Sequence, residues 1–218
     1  MIRDTTANPL AFSVVGLDDG HSVSIGKVPA HLLLSDKEFE TLWQMHPSEH
    51  SRILIHGRQT PIPRWHRAFG NDYRFSGQVA TALDVPAILK PLLEWARVAV
   101  DDRLNGILVN WYDGALGHYI GPHHDDQRQL VVGTPIVTIS FGEERIFRML
   151  RARNDSAAET MSNRKHDFTA TTGGVIVIPW STNRVWKHCV PKSARYRGRR
   201  ISITLRAFRA AESARRPV

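Results

Sequence analysis

Hydrophobic and polar positions change their spacing about half-way along the chain. Before Gly106, apolar residues recur at helical intervals in two places. Phe39, Leu42 and Trp43 follow Ser35-Asp36-Lys37-Glu38, a capping-box sequence whose hydroxyl covers free N–H groups while Glu38 reaches back. A short helix ending near Pro47 is predicted there. Ile88, Leu92, Trp95, Ala96 and Ala99 form a second stripe, which predicts a helix from Pro86, a residue suited to a first turn, with a kink at Pro91. Beyond Gly106 the texture becomes short β-branched and aromatic runs, ILVNWY, PIVTISF, RIFRML, GVIVIPW, VWKHCV and RISITLR, which read as strands. Two helices followed by about six to eight strands predict a mainly β fold with flanking helices (α+β), arranged as a sheet sandwich or jelly roll. A parallel α/β fold is disfavoured. The polar, basic stretch from Arg151 to Lys165 lacks periodicity and is predicted to be a loop.

Composition adds an ordinary folded protein of 218 residues, 42% hydrophobic and 23% charged, with no fixed-period repeat. The expected organisation is an N-terminal extension over residues 1–30, a single domain over 31–208 and a basic tail over 209–218. Lys+Arg 29 against Asp+Glu 21 gives a formal net charge of +8, which favours an anionic partner, nucleic acid first. Arg52, Arg58, Arg64, Arg67 and Arg74 face a single acid, Asp72, with His56, Trp65, His66 and Phe69 interleaved. Cations neutralise phosphates and aromatic faces stack on bases. Arg64 is the preferred phosphate contact. The lone cysteine, Cys189, excludes an intramolecular disulfide, and the N-terminus lacks an apolar signal core, so a reduced, cytoplasmic protein is expected. No apolar run is long enough for a membrane helix.

Ligand chemistry concentrates in Asn110 to Gln127, where a strand runs into a loop holding His123-His124-Asp125. Residues two apart in an extended backbone project from the same face, so His123 and Asp125 pair while His124 points away. With a third ligand they make the two-His-one-carboxylate triad that leaves open positions on ferrous iron. His166 sits in polar surroundings; His188, in the strand-like VWKHCV, is preferred. In Arg200-Ile-Ser-Ile-Thr-Leu-Arg206, alternation puts two guanidiniums and two hydroxyls on one face and Ile201, Ile203 and Leu205 on the other. Guanidinium forks on that face suit a dicarboxylate cosubstrate.

Together these pieces resemble the AlkB family of iron(II)- and 2-oxoglutarate-dependent dioxygenases, through Asn110-Trp111-Tyr112, His123-His124-Asp125, His188 and Arg200 to Arg206. PRWHRAFG (63–70), YRFSG (73–77) and PIVTISFG (135–142) extend the likeness over roughly residues 50–208. The resemblance implies a double-stranded β-helix that requires Fe(II), 2-oxoglutarate and O2. It assigns His123, Asp125 and His188 to iron, and Arg200 to the distal carboxylate of 2-oxoglutarate. Arg206 would lie near the end chelated by iron, with Asn110 and Tyr112 as further contacts and Thr204 as a wall. Ser202 stands where the family often has Asn, which weakens one contact. The loop Asp113 to Gly121 is about one residue longer than in relatives.

On the substrate side, the resemblance places Phe75 against the base, with His123 closing the other side and Tyr73 at the entrance. Asp126 would read an exocyclic amino group, and His56 would tip a finger, Ile55 to Arg58, that fills the gap left by a flipped base. The implied activity is oxidative dealkylation repair of N-alkylated bases in DNA, single- or double-stranded, with RNA as a further substrate. The protein is expected to act as a monomer, cytoplasmic and nucleoid-associated when on DNA. The alternatives are an oxygenase of a protein or small molecule, and a catalytically idle nucleic-acid-binding module.

Overall fold

The computed structural model describes residues 12–55, 57–75, 77–151 and 164–209. In chain order the first strands are Ser13–Asp18 (β1), His21–Lys27 (β2), Arg52–Ile55 (β3), Arg58–Pro61 (β4), Trp65–Phe69 (β5), Tyr73–Phe75 (β6) and Gln78–Ala80 (β7). Gly106–Asp113 (β8), Ile120–His123 (β9), Ile136–Gly142 (β10), Arg145–Arg151 (β11), Lys165–Ala170 (β12), Gly174–Ile178 (β13), Trp186–Val190 (β14) and Arg199–Arg206 (β15) follow. The helices are Asp36–Trp43 (α1), Lys90–Ala99 (α2) and Trp180–Val185 (α3).

A seven-stranded sheet, β1-β2-β13-β10-β15-β8-β5, lies against a four-stranded sheet, β12-β11-β14-β9, and the neighbours in both are antiparallel. This is the expected jelly roll. Two hairpins, β3-β4 and β6-β7, stand beside it. They are linked where Gln78 Nε2 donates to the Arg52 carbonyl.

The capping box forms as predicted: Ser35 accepts from the Glu38 amide, and Glu38 accepts from the Ser35 amide at 2.8 Å. The second helix corrects the expectation. It begins at Lys90, and Pro91 occupies its first turn, where no N–H is needed, so Pro91 starts the helix and does not kink it. Pro86 instead belongs to a preceding turn, its carbonyl accepting from Leu89. The domain division also shifts, because β1 and β2 lie within the stretch expected to be an extension and β2 pairs with β13 in the larger sheet. Most of the expected 151–165 loop, like residues 210–218 of the tail, lies outside the described residues.

Alternation along β15 decides which face carries chemistry. Ile201, Ile203 and Leu205 join Val109, Trp111, Ile139 and Phe141 in a core that also takes Leu42 and Trp43 of α1 and Leu92, Leu93 and Ala96 of α2. Trp111 is tied to α1 by its indole N–H, which donates to the Leu42 carbonyl at 2.9 Å. The opposite, polar face looks towards the smaller sheet.

One histidine pair joins the first hairpin to the strand carrying His123. His50 precedes β3, His118 precedes β9, and their Nε2 atoms are 3.0 Å apart. Both rings pack on Trp65, with centroids at 5.0 and 4.7 Å. His118 Nδ1 accepts from the Asp113 amide, so the neutral ring carries its hydrogen on Nε2 and donates it to His50. Burial, aided by His50, pushes His118 down to about 4. The unfolded imidazole protonates near pH 6.5 while the folded one stays neutral down to about 4, so this contribution is complete above about pH 6.5 and is lost as pH falls through about 4. Melting temperature should therefore decline between about pH 6.5 and about pH 4, and His118→Asn should flatten that slope. An unaltered slope in the variant would assign the acid sensitivity to other groups.

Candidate metal centre and active site

β9 and β14 are neighbours, and their register sets His123 directly opposite His188, with ring centroids 4.3 Å apart. Asp125 lies two residues past the end of β9, so the expected extended H-x-D does not run through it. Asn183 of α3 holds its backbone instead, accepting from the Asp125 amide at 3.0 Å and donating to the Asp125 carbonyl at 3.0 Å. The bend aims the carboxylate back at the histidines, and ligand atoms of His123, Asp125 and His188 all lie within 4.8 Å of one another.

Each group is in a form that suits a divalent ion. His123 Nδ1 is engaged with the Gly121 carbonyl at 2.9 Å, which leaves Nε2 as a lone-pair donor towards Asp125 Oδ1, 4.0 Å away. Burial, reinforced by His123, pushes His188 down to about 3, so its imidazole is neutral, and its Nδ1 has no protein partner among the described residues. Burial alone would raise Asp125, but Arg206 and the two histidines outweigh it and hold the carboxyl well below the usual carboxylate range. Arg206 donates to Oδ2 from Nε at 3.0 Å and Nη2 at 2.7 Å, and Tyr73 donates to Oδ1 at 3.2 Å. A charged, oriented carboxylate and two neutral imidazoles fit the facial set that ferrous iron takes.

The polar face of the larger sheet forms the wall beside this triad. Register puts Arg200 opposite Tyr112, Ser202 opposite Asn110 and Ser140, and Thr204 opposite Leu108 and Thr138. Arg200 is fully buried: Nη2 donates to Ser140 Oγ at 2.8 Å, the guanidinium lies 5.2 Å from the Tyr112 ring centre, and Nε and Nη1 have no acceptor among the described residues. Burial lowers it to about 10, so it remains a cation. A buried guanidinium with two N–H directions lacking an acceptor among the described residues fits a carboxylate; Arg200 lies behind the cleft of about 500 Å³ and does not line it, whereas its neighbours Asn110, Tyr112 and Ser202 do. Arg206 meets the Asp125 carboxylate directly, so its charge serves the triad first.

The family model described as the 2OG-Fe(II) oxygenase superfamily matches residues 34–206. The chain belongs to that superfamily. Human DNA oxidative demethylase ALKBH2 is 26% identical over 196 residues, spanning 88% of this chain and 73% of the relative. The mouse protein of the same name is 27% identical over 196 residues, spanning 88% and 80%. A solved structure of OsALKBH1 covers 89% of this chain and 99% of its own, with a TM-score of 0.53 at 15% identity, a likeness of fold. The superfamily match and the ALKBH2 relatives support assignment to the AlkB family of dioxygenases, which use Fe(II), 2-oxoglutarate and O2.

In this AlkB protein the substrate-side residues are arranged less simply than expected. Phe75 lines the cleft, half-buried, stacked on Tyr73 at 5.8 Å and edge-on to His66 at 4.8 Å, while the partly exposed His123 lines the same cleft. Tyr73 is not an entrance residue. It is buried and its hydroxyl reaches the Asp125 carboxylate. Arg64 departs from the expected phosphate contact, since its side chain turns inward and Nε donates to Asn110 Oδ1 at 2.8 Å. Asp126 lines the cleft but is held by the highly exposed Arg128, with Nη2 to Oδ2 at 2.6 Å. Reading an amino group with Asp126 would mean exchanging that partner. His56 lies outside the described residues; Arg58 follows in β4 and is exposed.

Four contributors escape motif reading. Asn183 clamps Asp125, Phe147 stacks on His188 at 5.6 Å, Ser140 receives Arg200, and His66 lines the cleft with its pKa lowered to about 3 by burial and Arg64. Ser140 and His66 could have been found from strand alternation, as they fall opposite Ser202 and Asn110. Nothing local marks Asn183 or Phe147.

Proposed function

We propose that the chain removes N-linked alkyl groups from bases of alkylated DNA by oxidation, with His123, Asp125 and His188 holding iron. Arg200, Asn110, Tyr112, Ser202 and Thr204 receive 2-oxoglutarate on the adjoining wall. With iron and 2-oxoglutarate bound, O2 would be the oxidant: one of its atoms would enter 2-oxoglutarate, which loses CO2 to become succinate, and the other would hydroxylate the N-alkyl carbon, whose C–N bond then breaks to release an aldehyde and leave the base nitrogen protonated or with its lone pair restored. The chain's residues bind, orient and shield. Tyr73 and Arg206 fix the Asp125 carboxylate, Arg200 presents its free N–H groups, and Phe75 offers an aromatic face for a base taken out of its stack.

The observation that carries this reading is the setting of the cleft mouth. Ile53 and Thr60 of the first hairpin and Phe75 of the second line the cleft, while Arg52, Arg58 and Arg74 of the same hairpins are exposed. Cations outside and an aromatic face inside suit a phosphate backbone with an everted base. The relatives' names supply the substrate class, alkylated DNA. RNA is a further candidate, because exposed arginines at the cleft mouth suit either phosphate backbone. A monomer is proposed, since one chain supplies the whole cleft.

Protein with ferrous iron, 2-oxoglutarate and oligonucleotides bearing 1-methyladenine, 3-methylcytosine or etheno adducts should yield succinate and repaired base together, read by mass spectrometry. His123→Ala should lose both while keeping its melting transition. Binding without turnover, or turnover evoked only by peptides or metabolites, would overturn the proposal.

A further inference from the structure

Arg64 lies between the first hairpin and β5, and its guanidinium enters the cleft to donate from Nε to Asn110 Oδ1 at 2.8 Å. Arginine has donors only, so the amide atom facing it has to be oxygen. The contact therefore removes the usual two-fold ambiguity of an asparagine amide and turns the NH2 group the other way. Asn110 sits on β8 opposite Ser202 and lines the cleft, and among the described residues the side-chain hydrogen bond it makes is the one its Oδ1 accepts from Arg64.

We propose that Arg64 is a positioning residue for 2-oxoglutarate: by clamping Asn110 Oδ1 it holds the Asn110 NH2 as a fixed donor to an oxygen of the cosubstrate. The role rests on the reading that Asn110 borders 2-oxoglutarate. It also accounts for the inward turn of Arg64 where Arg52, Arg58 and Arg74 of the neighbouring hairpins are exposed. An unclamped amide would rotate between presenting a donor and presenting its oxygen, and the oxygen would repel a carboxylate.

The test measures binding without turnover or nucleic acid: calorimetric titration of 2-oxoglutarate into protein loaded with manganese(II) in place of iron. Losing one hydrogen bond to a charged partner predicts about a tenfold rise in Kd for Arg64→Ala and for Asn110→Ala. Because Arg64 acts through Asn110, the double variant should bind within about twofold of Asn110→Ala alone. Asn110→Asp keeps an acceptor for Arg64 but loses the NH2. It should bind no better than Asn110→Ala although the clamp survives, and near-wild-type binding would show that the NH2 is not the donor. Arg64→Lys keeps charge and stem without the Nε donor at that point. It should resemble Arg64→Ala, and it replaces it if the alanine variant does not fold.

Unchanged Kd in Arg64→Lys, or multiplied effects in the double variant, would overturn the positioning role. Either result alongside intact turnover of methylated oligonucleotides would sink this role alone. Absence of that turnover with the predicted Kd pattern would sink only the substrate assignment.

Discussion

Replacing Asp125 by alanine is expected to abolish succinate formation and also to lower the unfolding free energy of the metal-free chain by about 3–5 kcal/mol. The two effects have separate causes. Turnover fails because the carboxylate is the one anionic member of the His123, Asp125 and His188 cluster. Stability falls because Asp125 is buried and accepts two N–H groups of Arg206, itself buried with Nη1 already lacking a partner among the described residues. Removing one partner of such a pair strands a charge in a low-dielectric site, which costs more than the pair's own net worth. His123→Ala is the control: its ring is partly exposed and its bond is to the Gly121 carbonyl, so it should lose turnover with little loss of stability. Urea unfolding of the metal-free variants measures the difference. If Asp125→Ala unfolds at the wild-type urea concentration, the Asp125–Arg206 pair is not a structural element of the apo protein.

Arg200→Met should separate binding from stability in the opposite sense. The KM for 2-oxoglutarate is expected to rise by about a hundredfold or more, since a paired, desolvated guanidinium–carboxylate contact contributes about 1.5–3 kcal/mol and its loss leaves a buried carboxylate unmatched. The melting temperature of the cosubstrate-free protein should hold or rise. Arg200 is a fully buried cation that donates to Ser140, and its Nε and Nη1 have no acceptor among the described residues, so an apolar chain of similar length relieves a desolvation cost. Added 2-oxoglutarate should raise the melting temperature of the metal-loaded wild type and not that of the variant. A variant that melts well below wild type in the absence of 2-oxoglutarate would show that Arg200 is a packing residue first.

Several elements were legible because their signal is local. The α1 capping box needs only Ser35 and Glu38 three residues apart, and β15 needs only alternation, which already divides Arg200, Ser202, Thr204 and Arg206 from Ile201, Ile203 and Leu205. The start of α2 was misplaced because Pro86 and Pro91 both satisfy a first-turn rule, and the choice lay with packing. β1 and β2 escaped notice since short strands at a sheet edge carry little hydrophobic pattern of their own and are stabilised by pairing with β13.

What the chain determined by itself is the inventory: residue types able to hold iron and a dicarboxylate, in an order that singles out an AlkB-like oxygenase, on strands whose alternation assigns each side chain a face. Tertiary structure decided the partnerships. Register alone sets His188 opposite His123, the Asn183 clamp alone bends Asp125 back to them, and the inward turn of Arg64 takes a residue that reads as a phosphate contact and gives it to Asn110. The physical reason is range: periodicity and capping act over a few residues, whereas strand pairing, desolvation and charge pairing join positions separated by tens of residues and exist only once the sheets have closed on each other.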